Sequence, residues 1–380
     1  MDGFPMQPLQ PIPHLPPLDD DLLNERLQLP SGKVRLIIDT DAHNQIDDQF
    51  ALAWALLAQD RFSILGILAE PYETVRQMQE TIAAYDALQV DDQDRLYGRA
   101  RRYLPAARRM WANGINPREI PTVDPATGME LSYQEILKVD DLLGTDLADR
   151  CLPGSARFLT SYDEPVDSPA ARFIIDQAMA GSPQDEPIYI AAIGCLTNIA
   201  SAILLEPRIR ERIVVTWTAS FPTFWDGSNA SSFNLIMDPL AAKFLFACGV
   251  PHVYLPGYYV GEMLTISLPE MERWVAPYGR IGAYLHELYT EKNLLRTMFG
   301  IAMADMFGRS WVVWDLINFA WLMRPDWVPS RLRPSPLLDD ALCYQVNPNP
   351  HPMREAYGIH RDAIYRDFFH RLALHAGVDG

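Results

Sequence analysis

Four aspartates crowd into ten residues near the start of the chain: Asp39, Asp41, Asp47 and Asp48. The run Val34 to Ile38 is apolar and rich in strand formers, and it ends in Asp39-Thr40-Asp41. A short polar loop follows, and Asp47-Asp48 opens a strongly apolar helix beginning near Gln49. The carboxylates therefore gather at the C-terminal tip of one strand, which in an open parallel sheet is where ligands bind. Packing does not ask for such a cluster, because like charges at close range repel. A divalent cation resolves the repulsion, and hard oxygen ligands suit Ca²⁺ or Mg²⁺. Asp47 and Asp48 alone would read as helix caps that complement the dipole. With all four flanking a strand tip, a metal or sugar site is the stronger reading.

The elements that would position these acids alternate along the chain. Strand candidates are Val34 to Ile38, Phe62 to Ala69, Pro187 to Ile193, Arg212 to Ala219 and His252 to Pro256. Between and after them come helical periodicities over Gln49 to Leu57, Thr74 to Leu88, Ala170 to Ala180, Thr197 to Leu205 and Leu240 to Cys248. This alternation predicts an α/β fold with an open, mostly parallel sheet and helices on both faces. Asp238-Pro239 reads as an N-cap before a first-turn proline, and Thr197 as the cap of its own helix. Residues 1–31 are Pro-rich and then acidic, an arm expected to be disordered or laid over a neighbouring surface. Residues 32–380 read as a single domain. Within it, 71–133 interrupts the alternation and is a candidate lid. The stretch 270–310 is helical again, and Arg361 to His375 closes the chain as a helix.

Composition narrows the partners. The chain has 380 residues, 48% of them hydrophobic, and a formal charge of −17. That charge argues against nucleic acid or an anionic membrane as a partner. The densest basic patch, Arg99 to Arg109, is interleaved with apolar residues and reads as a solvated surface segment. No apolar run reaches the length of a membrane span, and the N-terminus lacks the pattern of a signal peptide. The four cysteines, Cys151, Cys195, Cys248 and Cys343, form no CxxC pair. Neither zinc nor a disulfide scaffold is expected, and a reducing cytoplasm is the default compartment.

Beyond the aspartates, three further blocks carry a family pattern. They are Gly194-Cys195-Leu196-Thr197-Asn198, then Phe233-Asn234-Leu235-Ile236-Met237-Asp238-Pro239, then Trp314-Asp315 before a late helix. In this order, with the aspartate cluster first, the chain resembles the inosine-uridine-preferring nucleoside hydrolases, which cleave the N-glycosidic bond of ribonucleosides. The resemblance implies a Ca²⁺ site made by the carboxylates of Asp41, Asp48 and Asp315 and the carbonyl of Ile193. It gives Asp47 and Asn234 the ribose hydroxyls, and Asp41 the proton of a water held at the metal. It also implies a homo-oligomer, dimer or tetramer. The elementary chemistry agrees. Ca²⁺ takes 6–8 oxygens, so this set leaves room for water and two hydroxyls. The metal acidifies and orients that water. Anionic groups around the ribose stabilise an oxocarbenium-like transition state.

Departures from the family pattern matter equally. The aspartate loop is longer than the common form, with Ala42-His43-Asn44-Gln45-Ile46 in place of a Pro-Gly turn. Asn44 thereby becomes a candidate contact to ribose or to the metal water, while His43 reads as a solvated loop residue more than as a proton donor. Ser232 stands where the family has a glutamate. Glu70-Pro71-Tyr72 replaces an expected asparagine, and Trp314 replaces a histidine that helps the base leave. Trp225 and Trp314 are candidate stacking groups and Asp226 a candidate sugar contact, although an Asp-Gly turn explains Asp226 equally well. Phe233 reads as core. Two other classes compete. A haloacid-dehalogenase-type phosphatase also starts with Asp-x-Asp after a strand, but it leaves Asp47-Asp48 and the Leu-Thr-Asn block unexplained. A riboside-binding protein without turnover would account for Ser232 and Trp314.

Overall fold

Residues 11–90, 99–291 and 310–378 are described in the computed structural model. The main sheet contains β1 (Val34–Thr40), β2 (Phe62–Ala69), β3 (Cys151–Leu152), β4 (Ile188–Ala192), β5 (Ile213–Ala219) and β6 (His252–Pro256). Two short pairs lie outside it: β7 (Thr265–Ser267) with β8 (Ser310–Val312), and β10 (Leu337–Leu338) with β11 (Tyr344–Gln345). The late strands β9 (Ser330–Pro334) and β12 (Pro352–Ala356) complete the main sheet, in the order β3-β2-β1-β4-β5-β6-β12-β9. Its pairings are parallel except β12 with β9.

This order decides where a ligand can bind. From β1 the chain adds β2 and β3 on one side, then returns to lay β4 on the other. The sheet therefore changes direction between β1 and β4, and a crevice opens beyond their C-terminal ends. The register brings Asp39 level with Leu68 on β2 and Ala192 on β4. The residues that follow the three tips are Asp41, Glu70 and Ile193-Gly194.

Both faces of the sheet are covered, so the strands read as continuous apolar runs rather than alternating ones. Leu36 and Ile38 feed one core and Ile37 the other. The helix Asp47–Leu57 is buried along ten of its eleven residues. It lies among helices Pro125–Leu143, Leu316–Met323 and Arg361–His375, and Phe50 and Trp54 are both fully enclosed. Its apolar run, Phe50 to Leu57, leaves no face for water.

Of the segment expected to be a lid, residues 91–98 lie outside the described residues; its described helices form a cap with a small core of its own, built from Met78, Ala84, Tyr85, Leu104, Ala107 and Met110. Helix Pro125–Leu143 starts inside the expected boundary of 133 but belongs to the main body, where Ile136 and Val139 enter the large core. From residue 11 onward, the N-terminal arm lies on its own chain. Arg210 donates to Pro16 O (3.0 Å), Arg26 to Glu211 O (3.0 Å) and Arg61 to Pro30 O (3.1 Å). These contacts sit at the N-terminal ends of the strands, on the side opposite the crevice.

Candidate active site

Asp41 leaves the tip of β1, Asp47 and Asp48 occupy the first turn of the next helix, and Asp315 sits in the turn before helix Leu316–Met323. Each is at most 5% exposed. Carboxylate oxygens of Asp47, Asp48 and Asp315 lie within 4.8 Å of one another. The helix that carries two of them has no side-chain cap, so Asp47 and Asp48 are not spent on capping. Their place in the first turn still sets both charges against the positive end of the helix dipole. Thr40 Oγ1 donates to Asp48 Oδ1 (2.5 Å), and Asn44 Nδ2 donates to Asp41 Oδ2 (2.9 Å).

Burial dominates the electrostatics. It pushes the Asp41 carboxyl up to about 7 and that of Asp47 up to about 6. Asp48 and Asp315 are driven well above the carboxylate range, first by burial and then by the neighbouring aspartates. Such a set is costly to ionise without a cation. A divalent ion fits it on chemical grounds, since all the donors are hard oxygens. One further acceptor points the same way: Asn44 Oδ1 is buried and has no hydrogen-bond partner.

Ile193 and Asn234 are joined at this end. Asn234 Nδ2 donates to Ile193 O (3.0 Å) and to Thr218 O (3.0 Å), which leaves Oδ1 to accept from a hydroxyl. Behind them lies an inner layer. Asn198 Nδ2 donates to Asp39 Oδ1 (2.9 Å) and Ala69 O (3.1 Å), while Asn198 Oδ1 accepts from Ser155 N–H (2.8 Å). Thr197 was expected to cap its own helix. Its hydroxyl instead donates to Asp238 Oδ2 (2.7 Å), and the helix starts after Leu196 with no side-chain cap. Asp238 does cap the next helix, accepting from Ala241 N–H (3.0 Å). The Leu-Thr-Asn and Asp-Pro blocks thus tie the strand tips together.

Glu70 is fully enclosed against Asp39. Burial lifts the Asp39 carboxyl to about 6 and that of Glu70 well beyond its usual range. Gly194 is required here by close approach. A Cβ at that position would lie 2.7 Å from both Asp41 Oδ1 and Glu70 Oε2.

A cavity of about 310 Å³ opens above the acids. Asp41, Asn44, Asp47, Asp48, Ile193, Asn234, Trp314 and Asp315 all line it. Phe233 lines it as well while packing against the second core. Trp225 and Asp226 do not. Trp225 stacks on Phe221 (ring centroids 4.6 Å apart) outside the lining, and Asp226 is exposed. His43 is exposed too, its Nδ1 2.8 Å from Tyr72 Oη. Sequence reasoning missed the far wall, where the cap contributes Gln77, Arg102 and Tyr103 and the loops contribute Ser220, Ser231 and Tyr258. The basic patch expected to be solvated was the available signal, because Arg102 belongs to it.

The family model described as inosine-uridine preferring nucleoside hydrolase matches residues 36–356. The chain belongs to this family. Among relatives of this nucleoside hydrolase-family chain, the probable uridine nucleosidase 2 of Arabidopsis thaliana is 25% identical over 134 residues, 35% of this chain and 40% of the relative. The non-specific ribonucleoside hydrolase RihC of Salmonella paratyphi A is 28% identical over 160 residues, 41% of this chain and 50% of the relative. The chain thus matches about half or less of the length of these relatives. In fold it is similar to a purine-preferring ribonucleoside hydrolase from Gardnerella vaginalis, with a TM-score of 0.58 and 18% identity, covering 90% of this chain and 99% of the other.

Proposed function

We propose that this protein hydrolyses the N-glycosidic bond of ribosides, releasing the ribose unit and a free base, with Ca²⁺ held at the acidic end of the cavity. The observation that carries this reading is the buried set Asp41, Asp47, Asp48 and Asp315 at the base of a cavity large enough for a nucleoside. Asp48, Asp315, Asp41 and the Ile193 carbonyl would hold the ion, and Asp47, whose oxygens lie within the same tight trio, would share its ligation with a ribose hydroxyl. A bound Ca²⁺ compensates the acids and acidifies water in its shell. Asp41, steadied by Asn44, takes the proton from the attacking water. Asn234 Oδ1 accepts from a ribose hydroxyl while its amide hydrogens stay on Ile193 and Thr218. The surrounding carboxylates stabilise positive charge on the ribose ring as the base leaves. Trp314 offers an indole N–H that donates but transfers no proton. Tyr103 and Tyr258 line the same cavity, and the Tyr258 hydroxyl donates to Ser231 O (2.9 Å).

The test is a panel of purine and pyrimidine ribonucleosides with released ribose as the readout. Turnover of at least one supports the reading. A second reading, a riboside binder without turnover, is favoured by Trp314 and Ser232. Nitrophenyl riboside separates the two, since its good leaving group needs no acid. The same family reading carries a dimer or tetramer and a cytoplasmic location, with a small riboside rather than nucleic acid or membrane as partner. No helix among the described residues is long and apolar enough to cross a membrane.

A further inference from the structure

The cavity lining holds groups of both charges. Every carboxylate that lines it belongs to the aspartate cluster, and Arg102 is the only Lys or Arg in its lining among the described residues. Arg102 descends from the cap, its Nη1 donating to Ala230 O (3.0 Å) and its Nη2 to Ser231 O (3.1 Å). Among the described residues it pairs with no carboxylate. Two of its five N–H groups are thereby used. The serine whose carbonyl it holds has a buried Oγ with no hydrogen-bond partner. Next to it, Ser232 Oγ accepts from Ser220 N–H (2.9 Å), which leaves its own hydrogen to donate. A guanidinium on the backbone of one serine, beside that serine and the next, offers donors that suit a phosphoryl group. A neutral nucleoside gives Arg102 no counter-charge.

The ribose itself says which substituent reaches it. With the 2′,3′-diol at the acids and the base leaving from C1′, the one remaining hydroxyl is on C5′. Asn234, which holds the ribose side of the site, is two residues from Ser232. A glutamate at 232, as the family resemblance leads one to expect, would repel a phosphoryl group there; a serine donates to it.

Building on the hydrolase reading, we propose that the preferred substrate is a riboside 5′-monophosphate, its phosphoryl group held by Arg102, Ser231 and Ser232. The reaction keeps the phosphate ester intact. The water oxygen bonds to C1′, the C1′–N bond breaks with its electron pair on the base nitrogen, and one water proton, taken up at Asp41, ends on the base. Riboside monophosphate and water become ribose 5-phosphate and free base.

The experiment compares kcat/KM for matched pairs, uridine with UMP, inosine with IMP and adenosine with AMP, with orotidine against uridine as a control for charge on the base. The wild type should favour at least one monophosphate by roughly tenfold or more, the scale of a hydrogen bond to a charged group. Arg102→Ala should lower that ratio by roughly ten- to a hundredfold, Arg102→Lys should retain part of it, and Ser232→Glu should invert it. Added salt should shrink the preference. Nucleoside turnover with a ratio at or below one that Arg102→Ala leaves unmoved overturns the inference and spares the hydrolase reading. So does a preference for orotidine without one for UMP. If no substrate is cleaved, the hydrolase reading fails, and calorimetry decides the subsite alone. Ribose 5-phosphate binding more tightly than both ribose and inorganic phosphate, with the gain lost in Arg102→Ala, supports it. Equal binding of ribose and ribose 5-phosphate, or inorganic phosphate bound as tightly as ribose 5-phosphate, overturns it.

Discussion

The acidic floor of the cavity and its serine–arginine wall are built by different means. The floor rests on strand tips and the first turn of a helix, all within ten residues of Asp39 except for Asp315. Its backbone is fixed by the parallel register of β1 between β2 and β4. The wall is assembled by tertiary approach, with Arg102 reaching the carbonyls of Ala230 and Ser231 from a cap that has its own small core. On the proposed reading, chemistry sits on rigid elements, and selectivity on loops and a cap that can vary without disturbing them.

The sharpest way to break this contrast is at the floor. Asp41→Asn should cut kcat by roughly 10²–10⁴-fold, the usual worth of a positioned base, while the protein stays folded. A near-normal rate in this variant would remove Asp41 from the mechanism.

Next comes the coupling of the floor to pH. The folded carboxyls of Asp41, Asp47, Asp48 and Asp315 all titrate above the unfolded value. Without a cation the folded state therefore binds more protons than the unfolded chain. Stability should fall as pH rises from about 4 through about 7. Ca²⁺ favours the ionised acids, so the rise in melting temperature it gives should be larger at pH 8 than at pH 5. At a hundred times its Kd the ion should add about 2.7 kcal/mol. Melting curves of chelator-stripped protein, with and without Ca²⁺ at both pH values, check this. A cation effect independent of pH would contradict it.

Around the leaving base the expected effects are smaller. Trp314→His should raise the turnover of natural ribosides relative to nitrophenyl riboside, on the order of tenfold, and the gain should fade above the imidazole pKa of about 6.5. An unchanged ratio would mean that leaving-group assistance already comes from elsewhere in the cavity. Smallest of all, His43→Ala should leave both rates within about twofold, because this side chain meets Tyr72 and not the cavity. Selective loss of natural-riboside turnover would return His43 to the mechanism.

The same contrast explains what could be read in the sequence. The aspartate cluster, the parallel alternation and the Asp238-Pro239 cap are local patterns, and each has its counterpart in the structure. Thr197 and Asn198 stood out as a motif, yet their work is to bind β1, β2 and Asp238 to one another, which spacing alone does not reveal. The late strands β9 and β12, SRLRP and PMREA, carry charge and proline and show no strand pattern. Arg102 looked like one member of a solvated basic patch, since its partners lie more than a hundred residues away. Trp225 and Asp226 looked accessible in a Gly/Asn/Ser-rich loop, but stacking on Phe221 and solvent exposure account for them.

The most direct test of the central claim, that the buried aspartates hold a divalent cation for riboside hydrolysis, is a Ca²⁺ titration of chelator-stripped protein with released sugar as the readout. Hydrolysis should vanish with chelator, return along a saturable Ca²⁺ curve, and fail to return in Asp315→Asn at the concentrations that restore the wild type. Undiminished hydrolysis in chelator, or full recovery of Asp315→Asn at wild-type Ca²⁺, would contradict the account.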